Sequence, residues 1–136
     1  MPATKTILYK DLDLSFRVHP KTGNLLVKKN TESVKQGVKN VVLTNKFERP
    51  YRPEFGCDIR KRLFDLITGT TAVDIEMDVE VAIGNFVDRA VLLDVRAIAN
   101  PDLNSVRVNI IFRPINTTAP VETPRILERV RECPHT

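Results

Sequence analysis

Carboxylates flank a proline-rich stretch near the middle of the 136-residue sequence. The acidic residues of this stretch are Glu48, Glu54, Asp58 and Asp65. Two carboxylates at a suitable separation could hydrolyse a glycosidic bond by general acid and base catalysis. Such an enzyme also needs a sugar-binding cleft, commonly lined by aromatic residues, and only Phe47, Tyr51 and Phe55 lie nearby. Helix capping and ion pairing with neighbouring arginines therefore explain these acids better than catalysis does.

Histidine and cysteine are too sparse to suggest nucleophilic catalysis or a metal site. His19 precedes a proline in a turn-rich segment and His135 lies at the C-terminus, so no pair of nucleophile and base is apparent. Cys57 stands at the predicted start of a helix, where the pKa of a thiol can fall, but no histidine or second cysteine is near it. Cys57 and Cys133 are also too far apart in sequence for a disulfide framework. We expect reduced thiols, no metal and no cofactor.

The densest basic cluster overlaps the same stretch. Its members are Arg49, Arg52, Arg60, Lys61 and Arg62. A net charge of +4 and a pI near 9.3 fit a nucleic acid, an acidic protein partner or solubility alone. Three consecutive basic residues of a helix point in different directions, and an aromatic content of 6% without Trp leaves few stacking surfaces. The pattern favours contacts between arginine and the carboxylates of a protein over binding to nucleic acid.

Two prolines define the segment that must position these side chains. Pro50 and Pro53 fix their own φ angles and disfavour helix in the residues before them, so RPYRPEFG, residues 49–56, is predicted to be a shaped loop. A helix with its start at Asn30 or Thr31 is predicted before the loop, and Gly37 inside it is expected to permit close approach by another element. One face of this helix is formed by Val34, Val38, Val41 and Val42.

Two further helices are predicted after the loop. The first begins at Asp58, whose carboxylate suits a helix N-terminus, and ends by Gly69. Its apolar face consists of Ile59, Leu63, Leu66 and Ile67. Residues 72–86 fit a strand by strict alternation and a helix by apolar spacing. A length of 15 residues is unusual for a strand, and Thr71 with Asp74 makes a capping-box pair, so we favour a helix.

The last elements are predicted to be strands. AVLLDVRAIA, residues 90–99, and SVRVNIIFRPI, residues 105–115, are rich in β-branched residues, and NPDLN between them is typical of a turn. They predict an antiparallel hairpin whose second strand directs alternate side chains to one face, after which Pro114 limits further pairing. The RILERVR segment, residues 125–131, fits a short helix or an added strand.

Together these elements predict an α+β domain in which two or three helices pack on a C-terminal antiparallel β-hairpin. The chain divides into an N-terminal arm of residues 1–30, a domain of residues 31–115 and a tail of residues 116–136. The arm is expected to be extended with a reversal near Gly23, and a hairpin packed on the same domain is the alternative. No apolar run suits a signal peptide or a membrane span, so we expect a cytosolic protein without membrane contact.

The ordered string VKQGVKNVVLTNKFERPYRPEFGCDIRKRLFD, residues 34–65, resembles the gene-twenty-five-like baseplate wedge family of contractile phage tails, which includes a type VI secretion subunit. The later helix and hairpin follow in the family's order, so residues 31–115 would form the baseplate wedge domain. Two positions depart from the family pattern. Lys46 and Phe47 replace a Pro-Gly turn, and Val87, Asp88 and Arg89 stand where related members have Glu-Pro-Arg.

The resemblance implies a structural subunit of the virion, assembled in the host cytoplasm, that docks on the helical core bundle of the wedge. The docking residues would be Arg49, Arg52, Pro53, Glu54, Phe55, Asp88 and Arg89. The family also presents a β-hairpin from which the tail sheath begins to assemble, because a free strand edge can accept strands of another chain. The sheath-facing residues would be Val91, Leu93, Val95, Val106, Val108, Ile110 and Phe112.

The implied partners are other baseplate wedge proteins and the tail sheath protein, with no nucleic acid and no membrane. The resemblance implies no enzymatic activity. A lysozyme label nevertheless attaches to the family, so a peptidoglycan hydrolase acting during tail penetration is the alternative function. A hairpin whose edges are covered by its own tail is the alternative to the sheath-facing role.

Overall fold

Three helices and five strands form the described part of the chain. The structure is a computed structural model that describes residues 9–115 and 117–128, with side chains described through residue 122. The elements are β1 (Lys10–Leu12), β2 (Val27–Lys29), α1 (Thr31–Leu43), α2 (Ile59–Phe64), α3 (Gly69–Phe86), β3 (Ala90–Asn100), β4 (Ser105–Pro114) and β5 (Val121–Glu128). The α+β class with helices packed on a C-terminal antiparallel hairpin is confirmed.

The predicted hairpin is two strands of a three-stranded antiparallel sheet with the order β3-β4-β5. One face of β4 packs into the core, where four alternate side chains are at most 3% exposed. These are Val106, Val108, Ile110 and Phe112. The tail therefore forms a strand rather than a helix through Glu128, which includes the first four residues of RILERVR. The last three residues of that segment, 129–131, lie outside the described part. A bulge at Leu93 shifts the register between Leu92 and Asp94.

Helix α3 is confirmed over the ambiguous segment, but the predicted cap was wrong. Its inner residues Ile75 and Val79 are fully buried against the sheet. Burial of residues four positions apart favours a helix over a strand. The helix begins at Gly69, and the capping box joins Thr68 to Thr71 instead of Thr71 to Asp74. The Thr68 hydroxyl accepts from the Thr71 N–H at 3.4 Å, and the Thr71 hydroxyl accepts from the Thr68 N–H at 3.3 Å.

Helix α1 buries the predicted valine face, with Val38 fully buried. The expectation for Gly37 was wrong, because a Cβ added there would meet nothing within 4 Å. Among the described residues, no other element approaches this glycine closely. Asn30 precedes the helix, but its side-chain oxygen accepts from the Tyr9 N–H at 3.3 Å instead of capping α1.

Helix α2 is shorter than predicted, since it ends at Phe64. Ile59, Leu63 and Ile67 are buried as expected, whereas Leu66 is 82% exposed because the helix has already ended. Asp58 precedes α2 without making a side-chain cap. Its carboxylate instead pairs with the ammonium groups of Lys46 and Lys61.

Of the two alternatives for the first segment, the described residues form the hairpin. β1 pairs antiparallel with β2, and the chain reverses near Gly23, which has a φ of +68°. The hairpin contacts α1 through a hydrogen bond in which the Gln36 side chain donates to the Leu12 carbonyl at 2.7 Å. No helix within residues 9–128 of the described chain is long and apolar enough to cross a membrane.

Candidate docking site

Backbone hydrogen bonds and one glycine shape the proline loop. The Phe47 N–H donates to the Pro53 carbonyl at 2.8 Å and the Cys57 N–H donates to the Thr44 carbonyl at 2.8 Å, so the two ends of the loop are joined. Gly56 has a φ of +114°, and a Cβ there would lie 2.3 Å from the Thr44 oxygen. Only glycine fits this position. The loop therefore presents its side chains on a fixed backbone.

A cavity of about 360 Å³ lies where this loop meets the end of α3. Arg49 and Phe55 of the loop line it together with Asp88 and Arg89, which follow α3. Gly37 of α1 lines the same cavity, so its missing side chain leaves this space open. Four predicted docking residues from two distant segments thus converge on one concave surface.

Arg49 is held over an aromatic ring. Its guanidinium carbon lies 4.2 Å from the ring centroid of Phe55, a distance at which a cation is attracted to the ring face. Phe55 is buried and packs on Phe86, with ring centroids 5.0 Å apart. The core of the domain therefore orients this arginine.

Arg89 is held in a similar way by the N-terminal hairpin. Its guanidinium carbon lies 5.0 Å from the centroid of the Tyr9 ring, and a guanidinium nitrogen donates to the Asp11 carboxylate at 3.0 Å. The same Asp11 oxygen accepts from the hydroxyl of buried Ser33 at 2.5 Å. The Ile115 N–H donates to the Arg89 carbonyl at 3.1 Å, which fixes the backbone as well.

Tyr9 and Asp11 were missed by sequence reasoning. They belong to a segment that the family pattern leaves out, and no spacing links Asp11 to an arginine 78 positions later. In the sequence, Asp11 stands out as an acidic residue in a basic N-terminal segment, but this charge alone does not indicate which arginine it pairs with.

The remaining predicted docking residues lie elsewhere on the loop. Pro53 and Glu54 line a second cavity of about 560 Å³, bounded by Phe47 and by Asp78 and Val81 of α3. Arg52 is exposed and lines neither of these two cavities. The structure therefore divides the predicted set between two neighbouring concave surfaces.

The predicted sheath-facing residues divide by burial. The four β4 side chains of this set face the core, so they cannot contact a partner. Val91 and Leu93 of β3 are exposed, and Val95 is half-buried. The second edge of β4 is occupied by β5, which corrects the expectation that the tail leaves this edge free.

The outer edge of β3 is also partly closed. The Ala97 N–H donates to the Glu76 carboxylate of α3 at 2.7 Å instead of pairing with a strand. Main-chain pairing with a further strand at this point of β3 would have to break that hydrogen bond. The outer edge of β5 is the other edge of the sheet.

Two groups close to the proline loop, Asp78 and Cys57, are engaged or buried within the domain. Asp78 accepts from Arg62 at 2.5 Å, and this hydrogen bond raises the pKa of the Arg62 guanidinium. Burial raises the pKa of the Cys57 thiol to about 11, so the thiol is protonated at neutral pH. In the described residues, no cluster of three or more potential ligands among His, Cys, Asp and Glu is suited to a metal ion. Cys133 and His135 lie outside the described residues.

Comparison with known proteins defines the family to which this chain belongs. Residues 28–118 match the sequence model of the family described as baseplate wedge protein gp25. The baseplate wedge protein gp25 of Enterobacteria phage T4 is 34% identical over 90 residues, which cover 66% of this chain and 68% of the T4 protein. The chain belongs to the gp25 baseplate wedge family.

Two solved structures are similar to this one. A crystal structure from Geobacter sulfurreducens, named as a candidate tail lysozyme, has a TM-score of 0.68 and 25% identity, covering 81% of this chain and all of that one. A chain of the anti-feeding prophage baseplate has a TM-score of 0.60 and 19% identity, covering 87% of this chain and 83% of that one. The second similarity concerns the fold alone.

Proposed function

We propose that this protein is a non-enzymatic structural subunit of a contractile-tail baseplate, which docks on the helical core bundle of the wedge through the cavity between the proline loop and the end of α3. The observation that carries the proposal is the convergence of Arg49 and Arg89 on this cavity. In this proposal the subunit belongs to the tail baseplate of the virion and is assembled in the host cytoplasm.

The two arginines are suited to recognising a protein surface. Each guanidinium lies over an aromatic ring, which helps to hold it in place while its N–H groups remain donors. Such donors match the carboxylates of acidic side chains, and also helix C-terminal carbonyls, in a bidentate arrangement. Gly37 and Asn40 form the floor of α1 against which a partner helix would rest.

The sheet provides the second part of the proposal, a template for the first strands of the tail sheath. Glu76 occupies the Ala97 N–H on the outer edge of β3, so we place strand addition on the outer edge of β5. An added strand would receive main-chain hydrogen bonds from β5, while the buried face of β4 keeps the sheet attached to the core.

Binding of the purified chain to a reconstituted wedge core bundle tests the docking proposal. Reversing the charge of both arginines, by Arg49→Glu with Arg89→Glu, should weaken binding by at least about a hundredfold, since paired arginines are frequent binding hot spots. Arg60→Glu is the matched control, because Arg60 is exposed on α2 and does not line the cavity. Equal binding by the double variant and the control would refute the proposal.

The hydrolase alternative has one specific observation in its favour. Glu54 and Asp78 line the same cavity, and a structural relative is named as a candidate tail lysozyme. Asp78 is nevertheless held in an ion pair with Arg62, so its carboxylate is already engaged within the domain. A zymogram on peptidoglycan, with Glu54→Gln as the matched inactive variant, should show no clearing for either protein. Clearing that is lost in Glu54→Gln would establish the alternative.

Protein rather than nucleic acid is the proposed partner of the basic residues. Lys46 and Lys61 pair with Asp58, and Arg62 pairs with Asp74 and Asp78, so part of the basic cluster is neutralised within the domain. Titration with duplex and single-stranded DNA should show no salt-dependent binding. An affinity for DNA that falls steeply with added salt would contradict this assignment.

A further inference from the structure

The face of α3 that points away from the core is apolar although it is exposed. Val73, Met77 and Val81 are 52%, 59% and 62% exposed. Their spacing of four residues places them along one side of the helix over about 12 Å. Gly84 continues this line, and a Cβ there would meet nothing within 4 Å. We refer to Val73, Met77, Val81 and Gly84 as the α3 outer stripe.

The outer stripe gives α3 a second apolar face. The first face, which includes Ile75, Val79 and Ile83, is fully buried in the core. A surface helix usually presents polar residues to solvent, and a helix that is apolar on opposite faces is usually covered on both. The described chain covers only one of them, so the outer stripe has the composition of a contact surface.

The surroundings of the stripe fit a partner helix. On one side, Met77 and Gly84 border a groove of about 350 Å³ that continues to the exposed bulge residue Leu93 of β3. On the other side, Val81 borders the cavity that contains exposed Phe47. A ridge of side chains between two grooves is the surface that packs against another helix, and Gly84 leaves room for close approach of its backbone.

The charges beside the stripe specify the partner further. Helix α3 carries four acidic residues and no basic one, in a chain with a net charge of +4. Glu76 and Glu80 lie along one side of the stripe, and Asp74 and Asp78 lie along the other. Arg62 pairs with both aspartates, which still leaves the helix negative, and Glu80 is exposed. Lysine or arginine on a partner would complement these flanks.

We propose that the α3 outer stripe is a second docking surface, which takes an amphipathic helix of another protein whose apolar face is flanked by Lys or Arg. This surface is separate from the cavity of Arg49 and Arg89 and does not depend on the function proposed for it. A symmetric dimer through the stripe would set the acidic flanks of the two copies against each other, and these flanks repel. An anionic membrane would repel the same carboxylates.

Two synthetic helical peptides of equal length test the proposal. Both carry a leucine stripe at positions i, i+4, i+8 and i+11, but one is flanked by lysines and the other by glutamates. The full chain should bind the lysine-flanked peptide, as followed by fluorescence anisotropy, and should bind the other at least about tenfold more weakly. Binding of both peptides with equal affinity, or of neither, would overturn the proposal.

Matched variants connect the binding to the stripe. Val81→Glu and Met77→Glu should weaken binding of the lysine-flanked peptide by about tenfold or more, since each places a polar group in the apolar contact. Leu14→Glu makes the same change at another exposed apolar residue, which lies in the N-terminal hairpin region, and should leave affinity unchanged. Because all three sites are exposed, the variants should fold. Equal loss in all three would refute the assignment.

Two further measurements test the other occupants of the stripe. Sedimentation of the wild-type chain would reveal a dimer, and flotation with vesicles of anionic phospholipid would reveal membrane binding. We expect a monomer and no flotation. A dimer dissociated by Val81→Glu, or vesicle binding lost in that variant, would assign the stripe to a second copy or to a membrane and contradict the proposal.

Discussion

The guanidinium of Arg89 lies 3.0 Å from the carboxylate of Asp11, although 78 positions separate the two residues. Asp11 also accepts a hydrogen bond from buried Ser33 on α1. The N-terminal hairpin, α1 and the segment after α3 therefore meet at one carboxylate. Because Arg89 lines the proposed docking cavity, the N-terminal hairpin contributes to the geometry of that cavity.

Replacing Asp11 tests this relationship. Asp11→Asn should lower the free energy of unfolding by only about 1 kcal/mol, since an exposed ion pair contributes little and one hydrogen bond is weakened. It should weaken docking on the wedge core bundle more clearly, because Arg89 loses its fixed position. Urea denaturation and binding titration measure the two effects. Asp102→Asn, in the turn between β3 and β4, is the control, and an equal effect of both variants would contradict the role of Asp11.

Gly37 and Gly56 should respond in opposite ways to substitution by alanine. Gly56→Ala forces a Cβ against the Thr44 carbonyl at a positive φ, so it should destabilise the fold by at least about 2 kcal/mol. Gly37→Ala lies inside α1 beside open space, so it should stabilise the fold by up to about 1 kcal/mol. Thermal unfolding of the two variants provides the measurement. Destabilisation by Gly37→Ala would show that the helix is packed there after all.

A larger side chain at Gly37 should affect docking without affecting the stability of the fold. Gly37→Leu should leave the domain folded, because the site opens into the cavity, but its side chain should fill part of the space that a partner needs. Binding to the wedge core bundle should fall by about tenfold or more, while circular dichroism stays unchanged. Wild-type affinity in this variant would mean that the partner does not enter the cavity.

The buried thiol of Cys57 predicts how stability changes at alkaline pH. Burial raises its pKa from 9.0 to about 11, so between these values the folded chain binds more protons than the unfolded chain. The free energy of unfolding should therefore fall as pH rises from about 9 to 11. In a Cys133→Ser background, Cys57→Ala should show a shallower decline over this window. An equally steep decline would assign the effect to other groups.

Strand addition on β5 predicts where sheath contact protects the backbone. Hydrogen exchange should slow along Val121–Glu128 when sheath protein joins the assembled baseplate, and should change little at Ala97, whose N–H is already bonded to Glu76. Protection confined to β3 would place the template on the other edge.

Local patterns predicted much of this fold because they report on burial. Val34 and Val38 mark the inner face of α1, and the alternating residues of β4 mark its core face, as observed. The sequence could not show that Asp11 reaches Arg89, because this contact joins distant segments. It left open whether the tail forms a helix or the strand that pairs with β4, because the pattern of RILERVR fits both. The capping box failed for a different reason. Thr68 and Thr71 supply a pair with hydroxyls at both positions, which the usual acidic signature does not describe. The division of the chain at residues 30 and 115 stays a prediction.

A reconstruction of the assembled tail by electron cryomicroscopy, at a resolution that shows side chains, would reveal whether the cavity of Arg49 and Arg89 receives the core bundle of the wedge. We expect a helix of the bundle seated between Gly37 and the proline loop, with acidic side chains or helix-end carbonyls within hydrogen-bond distance of both guanidinium groups. A cavity that faces solvent, with the bundle bound to another surface of this chain, would contradict the docking proposal.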